Sequence, residues 1–420
     1  MGPCIKKSKG LKPVWQEFLC ECNRLFERAP TVFGTNFSCC ATGWEMPCHC
    51  LEQSGQAMKQ YKTHEIRNVG LFGHGSSGKT SVAEAILFVA AVSDRLGRVG
   101  DNSSVIDNDP DEIKCGHSIN ASLAFYEWDK QKINLLDTPG SSNFIADTIA
   151  CHSVVDGAVI VVSAVEGIQF YTEKVWRWAD EQLLGKIIFI NKVDHELADF
   201  AQVLESLKRK TQKKFALIQI PVGQGGSFSC VVDLVKNVCL AYDKDGNGKG
   251  RKVDIPLDMA EEIEIYRAEL VEAVAETSDE LLEKYLEIGE LSQDEFLSGL
   301  KHGVAEGKII PVLCGCATLN IGIDGLMQAI VDYLPSPENR GSVKGRSLKD
   351  GSEVVLMSDE KSPLTCLAFK TMSDTYTGKL TLCRVFSGTM KADSSVYNLT
   401  KQTNERVGHI FALQGKKQVQ

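Results

Sequence analysis

The residues Gly73-His74-Gly75-Ser76-Ser77-Gly78-Lys79-Thr80 have the types and spacing of a phosphate-binding loop. Glycines there let consecutive backbone N–H groups turn inward as a nest for anionic oxygens. Lys79 supplies a cation for the outer phosphates and stands as a catalytic candidate, and the Thr80 hydroxyl suits Mg²⁺. A second group, Asp137-Thr138-Pro139-Gly140, offers a carboxylate for the same cation, usually through water. Its Gly140 can give an N–H to the terminal phosphate and act as a hinge. A third group is Asn191-Lys192-Val193-Asp194. The Asp194 carboxylate can accept from two N–H donors on one edge of guanine. Adenine offers no such pair and would leave that charge unmatched, which a site built on paired hydrogen bonds rejects strongly. The Lys192 stem can lie along the base plane. Each group alone could be a glycine-rich turn or a polar strand end. Together, in this order, they point to a guanine nucleotide with Mg²⁺.

Such residues need strands and helices to hold them. The apolar run before Gly73 predicts a strand over Ile66 to Phe72, and Lys79 to about Val92 predicts a helix. Arg95 to Asn120 is polar and without period, so a long loop is expected, of the kind that is functional or mobile. Ser122 to Trp128 and Lys132 to Leu136 read as adjacent strands. A strand over Gly157 to Ser163, a helix around Thr172 to Gln182 and a strand over Lys186 to Ile190 follow. This alternation implies an α/β fold, a mostly parallel sheet with helices on both faces and ligands at the strand ends. All three groups fall at such ends.

With 420 residues, two or three domains are expected. The net charge of -9 argues against sequence-independent nucleic-acid binding over the whole surface, though a local basic patch stays open. No apolar run is long enough for a membrane span. Seven of the 15 cysteines fall in the first 50 residues, and the others sit in apolar segments as small hydrophobes. A nucleotide-binding body of this kind fits a reducing cytoplasm.

Residues 1–57 match nothing that follows and read as an unrelated, disordered leader, without the apolar core of a signal peptide. An alternative is that Met58 is the true start. Cys39-Cys40 and Cys48-His49-Cys50 lack the usual zinc spacing. Further on, Phe215 to Leu240 contains two strands. Asp243 to Gly248 resembles the start of a calcium loop but has Gly250 at the eighth position, so a glycine-rich loop is expected. Asp258 to Leu300 is acidic with helical period, a solvated face or a binding tail. Lys308 to Leu313 is a strand leading to Cys314-Gly315-Cys316-Ala317. A helix over Ile323 to Tyr333 ends at Pro335-Ser336-Pro337, a natural boundary. Leu364 to Thr371, Gly378 to Ser387, Ser395 to Asn398 and Arg406 to Phe411 then read as strands of a small all-β domain that stops before a barrel could close.

These motifs, with Arg95-Leu96-Gly97-Arg98-Val99, Asp109-Pro110-Asp111-Glu112-Ile113-Lys114 and Val231-Val232-Asp233-Leu234-Val235, make residues 62 to 420 resemble the N-terminal half of elongation factor G, in particular its bacterial elongation factor G-like branch. The resemblance implies a P-loop GTPase domain over 62–340 with an inserted α+β subdomain at about 215–305. It implies an incomplete β-barrel domain over 341–420. It also implies GTP and GDP as ligands with Mg²⁺, and the ribosome, its rRNA and proteins, as partner; a monomer is expected. The family's third, fourth and fifth domains have no counterpart here.

Several family positions differ. The first switch reads Arg-Gly-Ile-Thr in the family and Cys115-Gly116-His117-Ser118 here. Ser118 keeps a hydroxyl for Mg²⁺. Ser141 stands where the family has the histidine that orients the attacking water. Gly75 and His117 replace the apolar gate around that histidine. Cys316 replaces the serine of the last guanine contact, with its backbone N–H still expected to serve the base oxygen beside Ala317. Loss of a water-orienting group costs rate, on the order of 10²–10⁴-fold, and not binding. Ser141 is a plain turn residue on one reading; on another, His117 takes over the lost role.

Overall fold

Val69 to Phe72 gives one buried stretch of strand β1 (Ile66–Phe72) because apolar side chains there must be covered on both faces. The structure, a computed structural model, describes residues 59–100, 103–107, 109–211, 213–243, 246–347, 350–374 and 378–419. The expected leader over 1–57, Met58, and Lys244 and Asp245 of the glycine-rich loop lie outside them. After β1 come α1 (Lys79–Val89), α2 (Pro110–Cys115), β2 (Ser122–Trp128), β3 (Gln131–Asp137), α3 (Ile145–His152) and β4 (Gly157–Ser163). They are followed by α4 (Phe170–Glu181), β5 (Gly185–Asn191), α5 (Phe200–Thr211) and β6 (Lys214–Leu217). Four short elements β7 (Gln219–Val222), β8 (Cys230–Asp233), β9 (Val238–Ala241) and β10 (Arg251–Val253) precede α6 (Ala260–Ala275), α7 (Asp279–Ile288) and α8 (Gln293–Ala305). Then come β11 (Ile309–Cys314) and α9 (Ile323–Tyr333).

The main sheet has the order β2-β3-β1-β4-β5-β11-β6. Every neighbouring pair is parallel except β2 with β3. Its central strands β4 and β5 are buried at every residue. Register aligns the strand ends: Leu71 faces Asp137, Ser163 faces Asn191, and Cys314 faces Ile190. All three motif groups and Cys316 therefore leave the sheet at the same, C-terminal end of its parallel strands. This is the P-loop GTPase architecture, and the α/β expectation holds.

Local differences have local causes. Where a long loop was expected, α2 forms because Asp109 accepts from the Asp111 N–H, Pro110 opens the helix and Gly116 closes it at φ 68. α1 stops at Val89, short of Val92. The Phe215 to Leu240 segment makes four strands where two were expected. β6 stays in the main sheet, and β7 turns away into a separate antiparallel sheet of order β10-β9-β8-β7. The acidic stretch splits into α6, α7 and α8, the last two started by Ser278 and by a Ser292–Glu295 capping box.

Beyond Arg340 the elements among the described residues are all β-strands. Four two-stranded antiparallel sheets pair β12 (Val343–Arg346) with β13 (Glu353–Leu356), β14 (Thr365–Asp374) with β15 (Gly378–Ser387), β16 (Ser395–Asn398) with β17 (Thr403–Arg406), and β18 (Ala412–Gln414) with β19 (Lys417–Val419). The expected strand over Arg406 to Phe411 is not one; β17 ends where it was to begin. The β14–β15 hairpin rests on the larger sheet region. Leu367 and Phe369 pack against a cluster containing Phe72, Leu136 and Tyr171. Arg384 Nη2 reaches both oxygens of buried Asp156, at 3.0 and 2.9 Å. β18 lies along the outer strand β2, with Gly415 N–H on the Leu123 carbonyl at 2.9 Å, which covers an otherwise open edge. Among the described residues no helix is long and apolar enough to cross a membrane.

Candidate functional site

The loop from Gly73 to Gly78 needs backbone that ordinary residues avoid. Gly73 has φ 147, and a Cβ there would meet the Val161 carbonyl oxygen at 2.3 Å. Gly78 has φ 92, where a Cβ would meet Asn191 Nδ2 at 2.3 Å. The loop thus sits against the ends of β4 and β5 with no room for side chains at these two positions. It delivers the chain into α1, whose N-terminus adds positive dipole. Lys79 is buried at 6% exposure, and its ammonium donates to the His74 carbonyl at 2.8 Å. Burial lowers its pKa to about 8, partly offset by Asp137.

Thr80 Oγ1 donates to Asp137 Oδ2 at 2.6 Å and lies 2.9 Å from Ser118 Oγ. The three residues expected to serve a metal therefore meet, from α1, the end of β3 and the segment after α2. Asp137 is 2% exposed, and its other oxygen, Oδ1, has no hydrogen-bond partner among the described residues. Burial pushes its pKa up to about 6, against the pull of Thr80 and Lys79. A buried carboxylate with one unmatched oxygen beside two hydroxyls is a hard-oxygen set that fits Mg²⁺.

Gly140 comes so close to the loop that a Cβ would lie 2.5 Å from both the Gly75 nitrogen and Lys79 Nζ. The Asp137–Gly140 turn is pinned from behind. Thr138 Oγ1 donates to the Leu71 carbonyl at 2.7 Å, and Thr148 Oγ1 to the Pro139 carbonyl at 3.2 Å. Ser141 accepts from the Asn143 N–H at 3.4 Å and so starts the short helical turn Ser142–Phe144. His117 is exposed. Its Nδ1 lies 3.0 Å from the Cys115 carbonyl, and its ring is tilted 6.3 Å from that of Phe144.

At the base end, Asn191 is a tie. Its Nδ2 donates to the Ser77 carbonyl at 3.0 Å, and its Oδ1 accepts from the Ala317 N–H at 3.0 Å. Lys192 takes φ 66, turning the chain toward Asp194. Asp194 faces the Cys316 thiol, which burial first and that carboxylate second push up to about 12. The Cys316 N–H, expected to serve the base, donates instead to the Ile321 carbonyl at 3.0 Å, because the two residues form an antiparallel bridge.

Three carboxylates beside the metal candidates were missed. Glu84, fully buried on α1, accepts from Ser104 Oγ at 2.6 Å and the Ile106 N–H at 2.9 Å, anchoring the segment that leads to Ser118. Glu112 accepts from the N–H groups of Ile119 and Asn120. Asp107 is 3% exposed, neither of its oxygens has a donor among the described residues, and burial, then Glu112, push it up to about 8. A lone glutamate in the apolar run Val82-Ala83-Glu84-Ala85-Ile86 was the signal that could have found the first.

Residues 64–336 match the family model described as elongation factor Tu GTP binding domain. Among solved structures, the chain is similar to the crystal structure of ttk003000868 from Thermus thermophilus, with 27% identity and a TM-score of 0.73. The similarity covers 84% of this chain and 50% of that one, so this chain spans about half the solved protein's length.

Proposed function

Because the chain belongs to the elongation factor Tu GTP binding domain family of translational GTPases, we propose that it binds Mg·GTP and hydrolyses it to GDP slowly, as a translation factor of the elongation factor G type acting on the ribosome. The observation that carries the reading is the meeting of Thr80, Ser118 and Asp137 beside Lys79 and Gly140. Residues 62–340 form the GTP-binding domain, with an insertion at about 215–305, and residues 341–420 belong to a second, β-type domain. The protein works as a monomer in the cytoplasm.

In this reading the Gly73 to Thr80 backbone cradles the phosphates, and the Lys79 ammonium, which donates to the His74 carbonyl, balances their charge. Thr80, Ser118 and Asp137 hold Mg²⁺, which when bound neutralises charge on the phosphate oxygens. Gly140 gives its N–H to the terminal phosphate. Asp194 reads the guanine edge, while Asn191 keeps the phosphate loop and the Cys316-Ala317 loop at a fixed spacing. Positioning and charge balance carry most of phosphoryl transfer, so turnover survives without a histidine at Ser141, at a reduced rate.

A second reading has a specific support. The Ser141 hydroxyl is engaged as a turn cap, which fits a GTP-sensing ribosome ligand that barely hydrolyses. Calorimetry with GTP and ATP, then single-turnover hydrolysis with and without ribosomes, tests both. We expect GTP binding without ATP competition and a ribosome-stimulated rate. Equal affinity for ATP would overturn the guanine reading, and a rate unchanged by ribosomes would favour the binding module.

A further inference from the structure

We infer that Lys370, on β14, is the positioning residue that holds the exits of both phosphate-facing segments to the β-region. Its ammonium donates to Asp147 Oδ2 at 2.6 Å, to the Ala121 carbonyl at 3.0 Å and to Asn120 Oδ1 at 3.4 Å. Asp147 lies on α3, into which the Asp137–Gly140 turn runs. Asn120 and Ala121 close the segment that carries Ser118. Asp147 Oδ2 also accepts from the Ala121 N–H at 2.8 Å. One cation and one carboxylate thereby join two separate stretches of the site to each other and to a distant hairpin.

The clamp is largely out of water: the Lys370 side chain is 12% exposed and that of Asp147 31%. A charge-assisted, three-acceptor arrangement so shielded is worth more than a surface ion pair. A second contact repeats the theme. Gly415 approaches the Val105 carbonyl so closely that a Cβ would lie 2.0 Å from its oxygen, and Val105 belongs to the same Ser118-bearing segment. The β-region thus touches that segment near its middle and at its end.

The consequence rests on the proposed binding of GTP. Binding and docking are linked reciprocally. Whatever keeps Ser118 beside Thr80 keeps Ala121 under Lys370, and a seated Lys370 favours the arrangement in which Ser118 and Gly140 face the terminal phosphate. Lys370 touches neither nucleotide nor metal in this scheme; it sets the preference for triphosphate over diphosphate.

The test uses the full chain with Lys370→Met, Lys370→Arg and Asp147→Asn. Affinities for GDP and a non-hydrolysable GTP analogue are measured with Mg²⁺, and amide exchange at Ala121 is measured without nucleotide. Lys370→Met should lower the triphosphate-over-diphosphate preference about fivefold or more while leaving GDP affinity unchanged. Lys370→Arg should keep most of the preference, and Asp147→Asn should lose it as Lys370→Met does. Exchange at Ala121 should quicken in Lys370→Met and Asp147→Asn. An unchanged preference, an equal loss for both nucleotides, or unchanged exchange at Ala121 would overturn the inference. Wild-type protein that bound neither nucleotide would sink the GTP reading alone, with the clamp still decided by exchange.

Discussion

Thr80 and Asp137 are 57 positions apart and meet through a 2.6 Å hydrogen bond. The parallel pairing of β1 with β3 dictates that meeting, because Leu71 faces Asp137 and the loop after β1 returns Thr80 to the same strand end. Asp137→Asn keeps the shape and removes the charge. It should abolish most of the gain in nucleotide affinity that Mg²⁺ provides, by about tenfold or more, and leave affinity in a chelator unchanged. Titrations of the variant with and without Mg²⁺ check this; an Mg²⁺ effect of wild-type size would remove Asp137 from the metal.

Gly140 and Gly75 leave no room for a methyl group between them, with Cβ distances of 2.5 Å to the Gly75 nitrogen and to Lys79 Nζ. Gly140→Ala should force the Asp137–Gly140 turn away from the phosphate loop. Overpacking of this kind costs about 1–3 kcal/mol, and it should fall on the ligand that needs the closed turn. The triphosphate should therefore weaken roughly tenfold while the diphosphate does not. Competition of each nucleotide against a fluorescent GDP derivative measures the ratio.

The parts legible in the sequence are those that one strand end or one loop can specify. Apolar runs such as Ala158 to Val162 and Ile187 to Ile190 suit strands buried on both faces, and their alternation with helices made the parallel sheet readable. The six-residue α2 shows no period, and only its Asp109, Pro110 and Gly116 punctuation marks it. The Cys316 N–H looked free for a base because its bridge to Ile321 is a property of the folded turn. Glu84 and Lys370 act through partners that only tertiary structure brings near, and no spacing rule links Lys370 to Asp147.

Burial lowers Lys79 from 10.5 to about 8. Between those values the folded protein binds fewer protons than the unfolded chain, so stability without nucleotide should rise as pH rises through that window. The gain is capped at roughly 3 kcal/mol. A bound triphosphate supplies the missing countercharge and raises the lysine again, which should flatten the rise. Thermal unfolding against pH, with and without Mg·GTP, reads both effects. In Lys79→Met the nucleotide-free rise should shrink, and an unchanged rise would assign it to other groups.

His152 is fully buried, stacked on Phe72 at 3.7 Å with an interplanar angle of 14°, and set edge-on to Trp178. Neither ring nitrogen has a hydrogen-bond partner among the described residues, and burial lowers the imidazole from 6.5 to about 3. The unfolded chain takes up a proton here as pH falls below 6.5, while the folded protein resists until about 3. Stability is therefore lost progressively across that window. Asp137 and Asp107, whose raised carboxyls favour the folded state as they protonate, pull the other way, so the total acid profile mixes signs. The difference between wild type and His152→Phe cancels those shared terms. The phenyl ring keeps the stacking and removes two unmatched nitrogens, so stability near neutrality should change by less than about 1.5 kcal/mol, the tolerance of a near-isosteric core swap. Urea denaturation at a series of acid pH values should then show a shallower decline for the variant than for wild type. Parallel declines would mean that His152 is neutral in both states or finds a partner when charged.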